Sequence, residues 1–297
     1  MPPLPRTDQE MLELILNTAN TDSRVRAVWL SGSRIDPSAT QDQFSDFDVV
    51  YLVDDLPSMV KNEGWLSPFG PPLILQRPDD WFDHPRDPVS HEKFAYLMYF
   101  QDGQRIDLTL MALRHLQTVL DDPEPRRILL DKDAIKGLND VPAGRFGRVL
   151  PPTAREFADT CNEFWWISLS AAKGIARGEV MSAKTLMERY QLDMLLQMLS
   201  WKAGTTRGFP LACGKFFRYL PAFLQPGGHE RLIGVLFTQN VAEQWSQLLK
   251  MGALFDETAA GVSSALTLPY DPAQSGAIML ELERLRKNVN APDNERC

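Results

Sequence analysis

Residues 28 to 54 read VWLSGSRIDPSATQDQFSDFDVVYLVD. A strand-forming run, Val25 to Leu30, ends in Ser31-Gly32-Ser33-Arg34, and a polar loop with Pro37 follows. A second strand opens on Asp46-Phe47-Asp48 and continues as Val49-Val50-Tyr51-Leu52-Val53. Side chains on a strand alternate faces, so Asp46 and Asp48 point the same way and Phe47 points away. Two carboxylates held that close repel each other unless a cation lies between them. Mg²⁺ suits such a pair, because it takes few protein oxygens and completes its shell with substrate phosphates. The Gly32-Ser33 turn adds backbone N–H groups and a hydroxyl for a phosphate tail. Arg34 has two roles open to it: touching that tail, or bracing the loop from behind.

A third carboxylate lies further along. Lys93 to Phe100 reads as an apolar strand, Asp102-Gly103 as a hairpin turn, and Arg105 to Leu110 as the return strand. Asp107 faces away from Ile106 and Leu108, together with Arg105 and Thr109. A charge inside an apolar strand needs a reason. If this strand neighbours the Asp46/Asp48 strand, three carboxylates converge, as two-metal phosphoryl transfer requires. The alternatives are a solvated edge-strand face and an Asp107–Arg105 pair.

The Gly-Ser turn followed by Asp-x-Asp resembles the nucleotidyltransferase superfamily of DNA polymerase beta. A closer resemblance is to the aminoglycoside 6-adenylyltransferases, the streptomycin-modifying branch. It rests on Gly32-Ser33-Arg34-Ile35-Asp36-Pro37, Asp46-Phe47-Asp48-Val49-Val50-Tyr51 and Arg105-Ile106-Asp107-Leu108-Thr109-Leu110. Glu163-Phe164-Trp165-Trp166, Ala172-Lys173-Gly174 and Leu199-Ser200-Trp201 extend it into the second half, from about Glu10 to about Gln247.

The resemblance implies transfer of AMP from ATP to the 6-hydroxyl of streptomycin. Asp46 and Asp48 would hold the Mg²⁺ on the triphosphate. Asp107 would hold a second Mg²⁺ or act as general base, the resemblance favouring the base. Gly32 and Ser33 would grip the terminal phosphates, with Lys173 and Lys215 reaching them from the second half. A guanidinium-bearing acceptor wants carboxylates and aromatic faces. Asp87, Glu92, Glu163, Trp165, Trp166 and Glu188 are the candidates, in a cleft between domains. Trp165 and Trp166 are adjacent, so at least one should be core. Two other readings keep the fold: the same transfer to another aminoglycoside, a lincosamide or a protein hydroxyl, and a catalytically silent nucleotide sensor.

The 297 residues are 44% hydrophobic and 24% charged, as in a soluble globular protein of two ordinary domains. Residues 1–120 hold 18 acidic and 10 basic side chains, whereas the rest holds 21 of each. An acidic metal half without a basic, aromatic-laced patch speaks against nucleic acid. No apolar run is long enough to span a bilayer, and the N-terminus lacks a signal-peptide pattern. Cys161, Cys213 and Cys297 form no C-x-x-C pair. The histidines show no metal-ligand spacing. A cytoplasmic monomer is the expectation.

The expected fold class is α+β. Residues 1–150 form a nucleotidyltransferase domain with a mixed sheet and flanking helices. Residues 151–297 form an all-α substrate-binding bundle. Capping boxes at Thr7-x-x-Glu10 and Thr153-x-x-Glu156 open the first helix and the bundle. Residues 78–90 are an exposed loop, and residues 121–152 are the crossing between domains. Ala183 to Trp201 is one helix stopped by Gly204.

Overall fold

The computed structural model describes residues 4–36, 42, 44–82, 92–121, 125–139, 148–236 and 243–290. The chain divides into two compact units, Met1–Phe146 and Gly147–Cys297.

Unit 1 is a mixed sheet with helices. Its elements are α1 (Asp8–Thr21), β1 (Val25–Leu30), β2 (Phe47–Val53), α2 (Leu56–Lys61), β3 (Ile74–Gln76), β4 (Lys93–Tyr99), β5 (Arg105–Ala112), α3 (Leu116–Asp121) and β6 (Arg127–Asp131). The sheet order is β3-β4-β5-β2-β1-β6. The central β2 and β5 run parallel, and the other neighbours are antiparallel. The Thr7–Glu10 capping box forms as the sequence predicts: Thr7 accepts from the Glu10 N–H, and Glu10 accepts from the Thr7 N–H at 2.7 Å.

Alternation along β2 and β5 divides the sheet into two faces. Phe47, Val49, Tyr51 and Val53 join Ile106, Leu108 and Leu110 in a core that takes in Met11, Ile15 and Ala19 of α1. Tyr51 is wholly buried there, its hydroxyl donating to the Ile15 carbonyl at 2.5 Å. The other face is apolar at one end only, where Ala27, Trp29, Leu52, Val119 and Leu138 cluster. Its opposite end, at the start of β2 and β5, carries the charges.

β6 corrects the expectation of a plain crossing over 121–152. Arg127–Asp131 pairs antiparallel with β1 and forms the sheet edge. Asp131 caps the turn after it, accepting from the Ile135 N–H at 2.8 Å. The loop expected at 78–90 begins with a short 3-10 turn, Pro78–Asp80, and residues 83–91 lie outside the described residues.

Unit 2 is helical, with a small ribbon of β7 (Arg148–Val149) and β8 (Leu211–Ala212). Its helices are α4 (Ala154–Ala176), α5 (Val180–Leu186), α6 (Leu192–Arg207), α7 (Gly228–Leu236), α8 (Gln244–Leu266) and α9 (Pro272–Asn290). The Thr153–Glu156 capping box opens α4. α4, α6 and α8 share one core, at whose centre Phe164 and Phe255 stack with centroids 3.7 Å apart and planes 4° apart. Two expectations change here. The single helix over 183–201 is interrupted by a π turn, Met187–Gln191. Gly204 does not stop α6, which continues to Arg207. A side chain at Gly204 would meet the Phe209 ring at 2.1 Å, so the residue is needed for packing.

Phe255→Ala removes half of the stacked pair from a fully buried site. It should cost about 3–5 kcal/mol, read as a lowered denaturation midpoint of the full chain.

Candidate active site

The three carboxylates predicted from sequence lie on one face of the β2–β5 pair. Asp48 and Asp107 are direct partners in the parallel register, with Phe47 opposite Ile106 turned into the core. Asp46 immediately precedes β2 and stands beside Arg105, whose Nη1 lies 3.3 Å from its Oδ2.

The Gly32-Ser33 turn is fixed against this ladder. The Ser31 N–H donates to the Asp48 carbonyl at 3.0 Å. Gly32 has φ +69°, and a Cβ there would lie 1.9 Å from Asp48 Oδ2. Glycine is therefore required twice, for the left-handed backbone and for the approach of the carboxylate. Ser33 follows in the same 3-10 turn, Gly32–Ile35.

Arg34 takes the bracing role of its two alternatives. Its guanidinium donates to the carbonyls of Asp46 at 3.0 Å and Ser45 at 2.8 Å and pairs with Asp8 at 2.7 Å. It also stacks over the Phe47 ring at 3.6 Å. Only 9% of its side chain is exposed. This brace ties the turn to the start of β2.

Arg105 is the residue whose part the sequence left open. Its Nε and Nη2 donate to the two oxygens of Asp107, each at 2.7 Å. The hydrogen-bonded Asp107 carboxylate holds the Arg105 guanidinium above its ordinary pKa, with the charges of Asp46 and Asp48 adding to the effect. The Asp107–Arg105 pair thus forms on the same strand face as Asp48, with Asp46 beside Arg105. Its sequence signal was the i, i+2 spacing on one strand.

Asp46, Asp48 and Asp107 are the groups here able to hold a divalent cation. Among the described residues no three acidic, histidine or cysteine side chains gather closely enough to form a cation cage. The all-oxygen donor set nevertheless fits Mg²⁺, which needs one or two carboxylates and draws its other ligands from phosphates and water.

The candidates in unit 2 separate by exposure. Trp165 is 4% exposed and packs edge-on to Phe164 and Phe255, so it is core and leaves the list of acceptor contacts. Trp166 is 67% exposed. Glu163, Trp166 and Lys173 fall three and seven residues apart on the outer side of α4, all exposed. Glu188 is exposed and paired with Lys184. Lys215 is exposed, with its ammonium 5.2 Å from the Phe216 ring centre. In unit 1, Glu92 is exposed and 3.5 Å from His115. Asp87 lies outside the described residues.

A family profile described as "Streptomycin adenylyltransferase" matches residues 5–283. The chain belongs to the streptomycin adenylyltransferase family. This family member is a nucleotidyltransferase. It is 33% identical to the aminoglycoside 6-adenylyltransferase of Bacillus subtilis (strain 168), over 91% of this chain and 95% of that protein. To the enzyme of the same name from Campylobacter jejuni it is 32% identical, over 98% of this chain and all of that one. To that of Staphylococcus aureus it is 36% identical, over 74% and 77% of the two chains. A crystal structure of an aminoglycoside 6-adenyltransferase from Bacillus subtilis matches at TM-score 0.47 and 29% identity, over 95% of this chain and 99% of that one.

In this streptomycin adenylyltransferase family member, Gly32→Ala should cost about 1–3 kcal/mol of stability and reduce nucleotidyl transfer more than tenfold. Gly103 has φ +83° and nothing within 4 Å of an added Cβ. Gly103→Ala should therefore show only the backbone cost, about 1 kcal/mol, and keep activity. Denaturation and initial-rate measurements on both variants check the difference.

Proposed function

We propose that the enzyme transfers AMP from ATP to the 6-hydroxyl of streptomycin in a Mg²⁺-dependent reaction. The observation that carries this reading is the register of Asp48 against Asp107 beside the Gly32-Ser33 turn, in a chain of this family. The relatives are named for 6-adenylylation of aminoglycosides.

Asp46 and Asp48 would hold the cation, whose chemistry when bound would be to neutralise phosphate charge. Two ions are expected, and Asp107 would be the carboxylate to hold the second. The Gly32-Ser33 turn offers its N–H groups and the Ser33 hydroxyl to the terminal phosphates. Asp107 accepts the proton of the acceptor hydroxyl, so that the oxygen attacks the α-phosphorus in line. The acceptor is a polycation. On α4, Trp166 offers it an aromatic face and Glu163 a carboxylate one turn away. Glu92, Asp87 and Glu188 add acidic charge, and Lys173 and Lys215 remain phosphate contacts on this reading. Dependence on ATP accords with a cytoplasmic site of action. Among the described residues no helix is long and apolar enough to cross a membrane.

Streptomycin incubated with the enzyme, ATP and Mg²⁺ should gain the mass of one AMP. Asp107→Asn keeps the shape and loses the base, and should slow transfer about 10²- to 10⁴-fold. Pyrophosphate release with another aminoglycoside or a lincosamide, and not with streptomycin, would keep the mechanism and replace the acceptor. ATP binding without pyrophosphate release on any acceptor would leave a nucleotide sensor.

A further inference from the structure

Two arginines flank the carboxylates, and they are held in different ways. Arg34 is nearly buried, donates to two backbone carbonyls and stacks on Phe47. Arg105 is 39% exposed, and among the described residues its guanidinium bonds only Asp107 and Asp46. Arg34 is thus held by backbone and ring, while Arg105 is held, among the described residues, by Asp107 and Asp46 alone.

The pose of Arg105 has a chemical consequence. Its fork occupies one lone-pair direction on each oxygen of Asp107. An oxygen engaged this way is a poorer proton acceptor and a poorer ligand for a second cation. The same guanidinium offsets the repulsion among Asp46, Asp48 and Asp107, which would otherwise strain the β2–β5 register. Its single positive charge thus stands where a divalent ion would do the same work with twice the charge.

We infer that Arg105 is the resident counter-ion of this site, steadying Asp46 and Asp107 before substrate binds and withdrawing when a divalent cation takes them. This rests on the reading of those aspartates as cation ligands. Half-exposed ion pairs are weak and the arginine stem is flexible, so the exchange needs no backbone movement. The freed fork matches two phosphate oxygens, so arrival of a metal–nucleotide complex favours release on both sides of the exchange. Arg105 is a positioning residue in this scheme, acting through Asp107.

The test is a Mn²⁺ titration of the full chain without nucleotide, followed by calorimetry and by melting temperature. Arg105→Gln should bind Mn²⁺ about five- to tenfold more tightly than the wild type, because no guanidinium has to be displaced. The metal-free variant should melt lower than the metal-free wild type, and the gap should close at saturating Mn²⁺. Arg105→Lys keeps the charge and loses the fork, so about two- to threefold tightening is expected. It answers the question if the glutamine variant does not fold. Asp48→Asn should lose the binding. Equal or weaker Mn²⁺ binding by the Arg105 variants would overturn the inference and leave the cation reading standing. Absence of Mn²⁺ binding in every variant, with a non-hydrolysable ATP analogue present, would overturn both.

Discussion

Three carboxylates on one face of two paired strands repel one another, and the architecture of unit 1 follows from holding them together. The parallel register brings Asp48 to Asp107, and the residue before β2 brings Asp46 to Arg105. Like charges on directly paired strand residues destabilise the pairing, even though water screens the exposed part of each. Something must offset it, and the fold supplies several devices. Phe47 and Ile106, the neighbouring pair in the register, anchor the opposite face in the core, so the register cannot slip without exposing them. Arg105 places a positive charge among the carboxylates. The Gly32 turn closes on Asp48, where an added Cβ would lie 1.9 Å from its Oδ2.

The two faces of the sheet share the tasks of stability and chemistry. The α1 face is apolar along the whole of β2 and β5 and anchors the strands. The opposite face is apolar only where Trp29, Leu52 and Val119 meet, and polar where β2 and β5 begin. Strand alternation allows this division: Asp48 lies between the core residues Phe47 and Val49, and Asp107 between Ile106 and Leu108. Arg34 joins the two tasks. It stacks on Phe47 while holding the carbonyls of Ser45 and Asp46, so the turn and the start of β2 move as one piece.

Much of this was legible in the sequence, for physical reasons that differ by element. Asp46-Phe47-Asp48 and Ile106-Asp107-Leu108 announced their faces because a period of two leaves no other choice. The capping boxes at Thr7 and Thr153 are local, and they form as read. β6 was missed because Arg127–Asp131 is an edge strand with partial burial, lying among turn residues. Its identity depends on β1, a partner a hundred residues away. The π turn at Met187–Gln191 was invisible because one extra residue in a turn leaves the helical pattern on either side intact. Gly204 was read as a stop because glycine's usual place is past a helix end, whereas here it makes room for the Phe209 ring. At the site, residue types gave the ladder, but the fork between Arg105 and Asp107 is a matter of rotamer. Two side chains on one face can meet or part, and spacing alone does not decide.

The exposure of the carboxylates constrains how such a site can work. Asp46 is 36% and Asp107 22% exposed, so water reaches both and screens their charges. A site this open would hold a lone ion loosely, since water would compete for every ligand position and Asp107 and Asp46 already pair with Arg105. Charge on the incoming nucleotide changes the balance. Phosphate oxygens complete a cation's shell and displace the water that screened the carboxylates, and each interaction inside then strengthens. On the proposed function, loose binding of the ion before substrate and firm binding with it would follow from this openness. The openness of the β2–β5 ladder and the guanidinium among its aspartates act in the same direction.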